Sequence, residues 1–412
     1  MIQIFDFFTF FICLIPTVLC FYSISKVGIK PLTLIQISFF IVFILPLFLD
    51  LVFGIPNYYN LPGFRNSQNN FSVSMIYNFF IIFISYFNYF FRGKDFIVIN
   101  IKENINRLDV ILFFIAISPL LFFIFSPDKS IYLIYGGDAL RDYNEVTAKY
   151  HGYLNIITFL SVIILSYFII KNYTKRIFLI ILFFTLVLFD FWVNGKRTIV
   201  LLFLFFLGLF FVLKDRSIKS FIFIIILSFV FGLYSNWYQS TVRDFGNNVS
   251  FEENYENVRV DFFRDQRLKM AIYAELNPHL IKILPNRGES FIFTTTFFIP
   301  RNYWENKPYP YAQYFTSAML YHEPKLWGWG MTTSIYDEFV ANIGLFGLIV
   351  IQFLVLIFFK LVMRVSSNNF KIYSIFLFLI LMMVQVIAFM FAYFIWFLWF
   401  LKIKSNKKVK LN

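Results

Sequence analysis

Residues 177–214 read IFLIILFFTLVLFDFWVNGKRTIVLLFLFFLGLFFVLK, two apolar runs parted only by Asn194-Gly195-Lys196-Arg197. Neither run alternates apolar and polar residues as a barrel strand does. Unbroken runs of about 20 apolar residues cross a bilayer core as helices. Comparable runs recur at about 4–24, 32–53, 75–91, 108–126, 153–170, 177–193, 198–213, 220–238, 334–359 and 372–401. The last is long for one crossing and has room for a hairpin of two short helices turning near Gln385-Val386. The spacing predicts an all-α polytopic membrane protein with ten or eleven crossings.

Composition agrees. Hydrophobic residues make up 59% and charged residues 14%, with 63 Phe in 412 residues, and mean hydropathy is +0.72. These values exclude an ordinary soluble domain. The first apolar run lacks a basic start, so it is expected to be a span rather than a cleaved leader. Basic residues gather at Lys26/Lys30, Arg92/Lys94/Lys102/Arg107, Lys171/Lys175/Arg176, Lys214/Arg216/Lys219, Lys360/Arg364/Lys371 and the tail from Lys402 to Lys410. Together these clusters hold 20 of the 36 Lys and Arg residues, and the first five alternate with other loops, which assigns them to the cytoplasm. The tail joins that side if the last run crosses twice, giving eleven crossings with the N-terminus outside. The net charge of +13 is therefore topological bias, and no nucleic-acid partner is expected. Cys13 and Cys20 share the first run and read as packing residues.

The chain divides into 1–238 with about eight spans, a polar loop over 239–333, and 334–412 with further spans and the basic tail. The loop holds ten basic and ten acidic residues, and a charged segment of this size on a greasy bundle points to chemistry on a lipid-borne substrate at the membrane surface. Four outer features follow. A loop from Pro127 to Tyr150 carries Gly136-Gly137-Asp138, Arg141, Asp142 and Glu145. The Asn194–Arg197 turn puts Lys196 and Arg197 outside, either snorkelling to phosphate headgroups or meeting a pyrophosphate bidentately. In the large loop, Arg243 follows the interfacial pair Trp237-Tyr238. Val258–Leu276 then reads as an amphipathic helix with Arg264 and Arg267 on its polar face. Residues 299–310, IPRNYWENKPYP, read as an extended segment braced by aromatics that holds Arg301 and Lys307 in place.

The fourth feature is the re-entry, GWGMTTSIYDEFVANIGLFG over 328–347. Ser334-x-x-Asp337 has the spacing of a helix-start cap. Glu338 and Asn342, four apart on one face, extend a polar stripe into the membrane, where a carboxylate needs a cavity or a partner.

The whole chain resembles the bacterial O-antigen polymerases (Wzy), or oligosaccharide repeat unit polymerases, and more distantly the O-antigen ligases. The resemblance rests on Gly195-Lys196-Arg197, on Ile299-Pro300-Arg301 … Trp304 … Lys307-Pro308, and on Gly328-Trp329 … Thr332/Thr333 … Glu338 … Asn342 … Gly344 … Gly347. The family's Arg-x(10)-Gly loop pattern is not evident here. The resemblance implies a GT-C-like fold in the bacterial inner membrane with a large periplasmic loop. It implies transfer of a growing glycan from undecaprenyl pyrophosphate to a hydroxyl on a second lipid-linked unit. Cations must then hold the leaving pyrophosphate, with Arg197, Arg243 and Arg301 first and Lys196, Arg264, Arg267 and Lys307 beside them. Glu338 is the first choice of general base, His322 the second and His279 the third, and Asn342 and Trp304 touch substrate. Tyr303, Tyr309 and Tyr311 either stack on sugar rings or brace the loop. No cofactor and no metal are expected, since no ligand spacing or phosphate-cradling loop occurs. A chain-length regulator and a flippase are the implied partners.

Three other readings compete. An O-antigen ligase has the same architecture. A flippase would line its path with basic residues, and a membrane acyltransferase would need an intramembrane His with Asp or Asn, where this chain offers only His151 at the edge of a run.

Overall fold

The computed structural model describes residues 2–93, 107–133, 135, 145–172, 177–214, 218–243, 250–323 and 330–409. Its helices begin with α1 (Ile2–Lys26), α2 (Pro31–Phe39), α3 (Leu45–Phe53), α4 (Pro62–Gln68), α5 (Phe71–Phe90) and α6 (Arg107–Ile124). There follow α7 (Glu145–Asn172), α8 (Ile177–Asn194), α9 (Arg197–Lys214), α10 (Ile218–Tyr238), α11 (Phe251–Phe262) and α12 (Asp265–Leu276). The rest are α13 (Glu289–Thr295), α14 (Tyr311–Met319), α15 (Ile335–Ile343), α16 (Gly347–Met363), α17 (Asn368–Met383) and α18 (Met390–Val409). Among the described residues six helices are long and apolar enough to cross a membrane: Ile2–Lys26, Pro31–Phe53, Phe71–Phe90, Tyr150–Lys171, Ile177–Asn194 and Ile222–Val242. Five shorter apolar helices fall on the remaining runs.

The chain forms two compact units, Met1–Val98 with Tyr255–Asn412, and Ile99–Asn254. In the second, α7 is central and packs on α6, α8 and α9, with α10 against α9.

In the first unit a broken span receives the polar segment. α2 and α3 are joined by a π-helical turn, Phe40–Ile44, and Pro46 follows it. A proline offers no N–H to the carbonyl four residues earlier. The Val42 carbonyl instead accepts from the backbone N–H of Arg264 at 3.2 Å, and the Phe43 carbonyl accepts from the Tyr77 hydroxyl. The segment after α10 is thereby hydrogen-bonded to the middle of a membrane helix. The expected amphipathic helix over Val258–Leu276 is corrected here: it is two helices, α11 and α12, parted at Phe263-Arg264. α12 has no solvated face over Asp265–Ala274, because α4, α5 and α15 pack around it.

A ladder of neutral side chains ties the spans to α15. Tyr336 donates to Gln352 Oε1 (3.5 Å), Gln352 to Asn88 Oδ1 (2.7 Å), Asn88 to Gln36 Oε1 (3.1 Å), and Gln36 to Thr17 Oγ1 (3.0 Å). Thr17 closes it on the Cys13 carbonyl at 2.8 Å. Every link donates in the same direction, so each polarises the next. Amides buried among apolar helices have no water to fall back on, and the ladder therefore fixes the register of α1, α2, α5 and α16.

The expected run over 334–359 is likewise two helices. α15 stops at Gly344, whose φ of +81° suits glycine, and a Cβ on Gly347 would collide with the Phe339 carbonyl. Glu338 and Asn342 thus sit on a separate nine-residue helix ahead of the span rather than in its first turns. The final run breaks after Met383 and returns as an antiparallel pair. Ser374 accepts from Trp396, Tyr373 donates to the Ala392 carbonyl, and Phe370 stacks on Trp396 and Phe400.

Candidate functional site

Among the buried charges of the first unit, Asp50, Arg259, Arg264, Asp265, Arg267, Lys269, Asp337 and Glu338 lie on or against α11, α12 and α15. Arg259 is fully buried and bonds both oxygens of two carboxylates. Its Nε and Nη2 lie 3.0 and 2.8 Å from Asp50, and Nη1 and Nη2 each lie 2.7 Å from Asp265. The Tyr255 hydroxyl donates to Asp50 as well, at 2.6 Å. Bidentate geometry on both sides is what lets such charges leave water.

Lys269, one turn after Asp265, is 2% exposed and has no carboxylate within ion-pair distance among the described residues. Its ammonium stands 5.1 Å from the Tyr77 ring centroid. Three residues earlier on the same helix, Gln266 is buried with neither amide atom hydrogen-bonded. Buried polar groups are normally satisfied, so these two side chains leave donors and an acceptor ready for a polar ligand or ordered water. Sequence reasoning passed over Arg259, Asp50, Asp265, Gln266 and Lys269. The available signal was Asp50, a carboxylate closing an apolar run that needed a cation.

Arg264 and Arg267 do come together, but on backbone. Arg264 donates to the carbonyls of Met383 (2.8 Å), Asp261 (3.0 Å) and Phe263 (2.8 Å). Arg267 donates to Phe263 (2.7 Å) and Val260 (2.5 Å). They satisfy the orphan carbonyls at the C-terminal end of α11, where helix dipoles favour cations. Their expected place on the polar face of an amphipathic helix is corrected: both are buried.

Glu338 lies at the centre of a second cluster and is 2% exposed. Ser290 of α13 donates to its Oε1 at 2.8 Å, and Asn342 donates to Ser290 Oγ and to the Glu338 carbonyl, each at 2.7 Å. Its Oε2 accepts no hydrogen bond from the described residues. Burial pushes the Glu338 carboxyl up to about 7, with the Ser290 bond pulling the other way. Asp337 is the helix cap the spacing announced: Ser334 N–H donates to its Oδ1 at 2.8 Å, in a capping box. Burial raises it to about 6, opposed by the Ser334 bonds and by Arg267.

From the same helix α15, Ile335 and Phe339 line an apolar cavity of about 390 Å³. Ile351, Val355, Leu377 and Trp396, from α16, α17 and α18, are among its other walls. One short helix therefore carries a carboxyl able to take a proton and a wall of a groove that suits an apolar chain.

The remaining expected site residues make contacts of their own. Arg301 donates to the carbonyls of Lys307 (2.6 Å) and Pro308 (2.9 Å) and lies 4.1 Å from the Tyr309 ring. Lys307 donates to the carbonyls of Phe297 (2.9 Å) and Ile299 (2.7 Å). The expected extended run over 299–310 is corrected: residues 301–306 form hydrogen-bonded turns, and the two cations hold the segment by gripping backbone. Trp304 sits in a turn, its backbone N–H on the Arg301 carbonyl. His322 and His279 are exposed. In the other unit, Arg197 is buried and donates to Gln239 (3.2 Å) and Ser235 (3.4 Å), while Lys196 is exposed. The side chain of Arg243, the loop residues 136–142 and the Gly328-Trp329 pair lie outside the described residues. The expected trio Arg197, Arg243 and Arg301 is therefore not gathered within either unit, because Arg197 and Arg301 belong to different ones and each is bound locally.

No known protein family, no curated protein and no solved structure matches the chain.

Proposed function

We propose that the protein is a membrane glycosyltransferase that polymerises lipid-linked oligosaccharide repeat units, with Glu338 as general base. The reading is carried by α15, which holds the buried Glu338 carboxyl and also supplies Ile335 and Phe339 to the wall of an apolar groove. A substrate with a sugar hydroxyl at one end and a polyprenyl chain at the other needs both within one short reach. Glu338 takes the acceptor hydroxyl proton through its open Oε2 while Ser290 and Asn342 hold the carboxyl in place. The leaving group is a pyrophosphate, and Lys269, which has no carboxylate partner among the described residues, supplies a cation while Gln266, unbonded among them, supplies an amide donor. The activated donor supplies the energy, so no nucleotide enters.

The test is gel profiling of surface polysaccharide from cells with and without the protein. Single-repeat chains on its loss support polymerisation. Loss of all attached chains supports the O-antigen ligase or flippase readings instead.

A further inference from the structure

The second unit holds a buried carboxyl that the proposed transfer does not use. Asp190 lies in α8, within the apolar helix Ile177–Asn194, and is 1% exposed. Among the described residues its hydrogen-bond partner is Ser161 of α7, 2.6 Å from Oδ2. The charged and titratable groups on the neighbouring helices are turned elsewhere. Asp109 of α6 pairs with Lys171 of α7 at 2.8 Å, and Tyr167 bonds Asp109. His151 bonds Tyr132, and Arg197 bonds Gln239 and Ser235.

Counting hydrogens gives the protonation state. Ser161 Oγ is within bonding distance of the Ala116 carbonyl (2.8 Å) and of Asp190 Oδ2 (2.6 Å). A hydroxyl has one hydrogen, and a carbonyl and a carboxylate can only accept. Both contacts are full two-centre hydrogen bonds at once when Asp190 brings its own proton; a bare carboxylate would leave them to share one hydrogen. The Asp190 O–H then donates to Ser161 Oγ, and the Ser161 O–H donates to Ala116. A bare carboxylate at this depth would have no cation and little water.

A second observation concerns access. One turn toward the Gly195 bend, Asn194 donates to Thr158 Oγ1 at 2.8 Å and leaves its own Oδ1 buried without a partner. Asn155, one turn from Thr158 on α7, has a buried Oδ1 in the same condition. Two buried amide oxygens lacking donors call for water on the bend side of Asp190.

We propose that Asp190 is a proton-binding site, loaded through this polar column from the compartment that the Gly195-Lys196 bend faces. The binding reaction is addition of one proton from water to the carboxylate, with no other bond made or broken. Loss of the proton leaves Ser161 one hydrogen for two acceptors and loosens the contact of α8 with α6 and α7. A neutral asparagine would make the same contacts with no proton to gain or lose, so titration is what the carboxyl adds.

Infrared spectroscopy of the full chain in sealed vesicles tests this. The expected result is a carboxylic-acid C=O band that vanishes in Asp190→Asn, shifts in Ser161→Ala and bleaches reversibly as pH rises on the bend side. Should Asp190→Asn fail to fold, wild-type protein treated with dicyclohexylcarbodiimide gives an independent reading. That reagent adds a protonated carboxyl across its C=N bond, and peptide mapping is expected to place the adduct on Asp190, with less adduct at higher pH. A spectrum unchanged by Asp190→Asn, a band indifferent to pH, or an unlabelled Asp190 each overturns the proposal.

Discussion

Ser290 and Glu338, 48 residues apart in sequence, share a 2.8 Å hydrogen bond in which the serine hydroxyl donates to the buried carboxyl. A bond to the charged form favours ionisation, while burial opposes it and prevails, leaving the carboxyl near 7. A general base works only when deprotonated, so transfer activity is expected to rise through about pH 7. In Ser290→Ala the opposing bond is gone and the rising limb moves to higher pH. The pH profile of polymer formation reads this directly, and an unmoved limb would remove Glu338 from the role of base.

The same carboxyl makes a statement about stability. Its ordinary value is 4.5 and its folded value about 7, so between these pH values the folded chain keeps a proton that the unfolded chain has released. Stability from this group is complete below 4.5 and declines as pH climbs to about 7. Thermal melts of the detergent-solubilised protein should show that decline in wild type and a flatter course in Glu338→Gln.

Arg259 is the cation whose loss the fold should tolerate least. Arg259→Leu strands Asp50 and Asp265 as uncompensated buried carboxylates, and breaking such a pair costs roughly 3–5 kcal/mol. Little monodisperse protein is expected after solubilisation. Arg259→Lys should rescue it only in part, since an ammonium lacks the fork that meets two carboxylates. Full rescue by lysine would mean that charge alone matters there.

Gln352→Leu cuts the amide ladder and leaves Asn88 without its donor and Tyr336 without its acceptor. An intramembrane hydrogen bond of this kind is worth about 1 kcal/mol. The single variant should melt lower than wild type. Adding Asn88→Leu should cost less than the two separate losses combined, because the partners already lack each other. Strict additivity would show that the ladder does not act as a unit.

Lys269→Met keeps the bulk of the side chain and removes its charge. If the ammonium serves the substrate, the variant stays folded and loses transfer by about 100-fold or more, the scale of a missing transition-state donor. Normal transfer by a folded variant would assign Lys269 to balancing Asp50 and Asp265.

Local features were readable from the chain and long-range ones were not. The apolar runs at 177–193 and 198–213 became α8 and α9, Gln385 fell at the break before α18, and Ser334 with Asp337 formed the expected cap. Each depends on a pattern a few residues long. Arg259 and Asp50, by contrast, are 209 residues apart, and nothing in the periodicity of either segment announces the other. The break between α11 and α12 had its cause far away, in the carbonyl that Pro46 leaves free at Val42. Arg264 and Arg267 looked like a polar face because helix periodicity says nothing about which helices will enclose it. Glu338 and Asn342 were legible as a pair four apart, whereas Ser290, which links them, sat in a loop with no pattern of its own.

The most direct measurement is turnover by purified protein in nanodiscs supplied with a lipid-linked oligosaccharide repeat unit. Wild type is predicted to build a ladder rising by one repeat per step and Glu338→Gln to leave the units single. Units that stay single with wild type, or a ladder of equal length from the Gln variant, would contradict the assignment of Glu338 as the base of a polymerase.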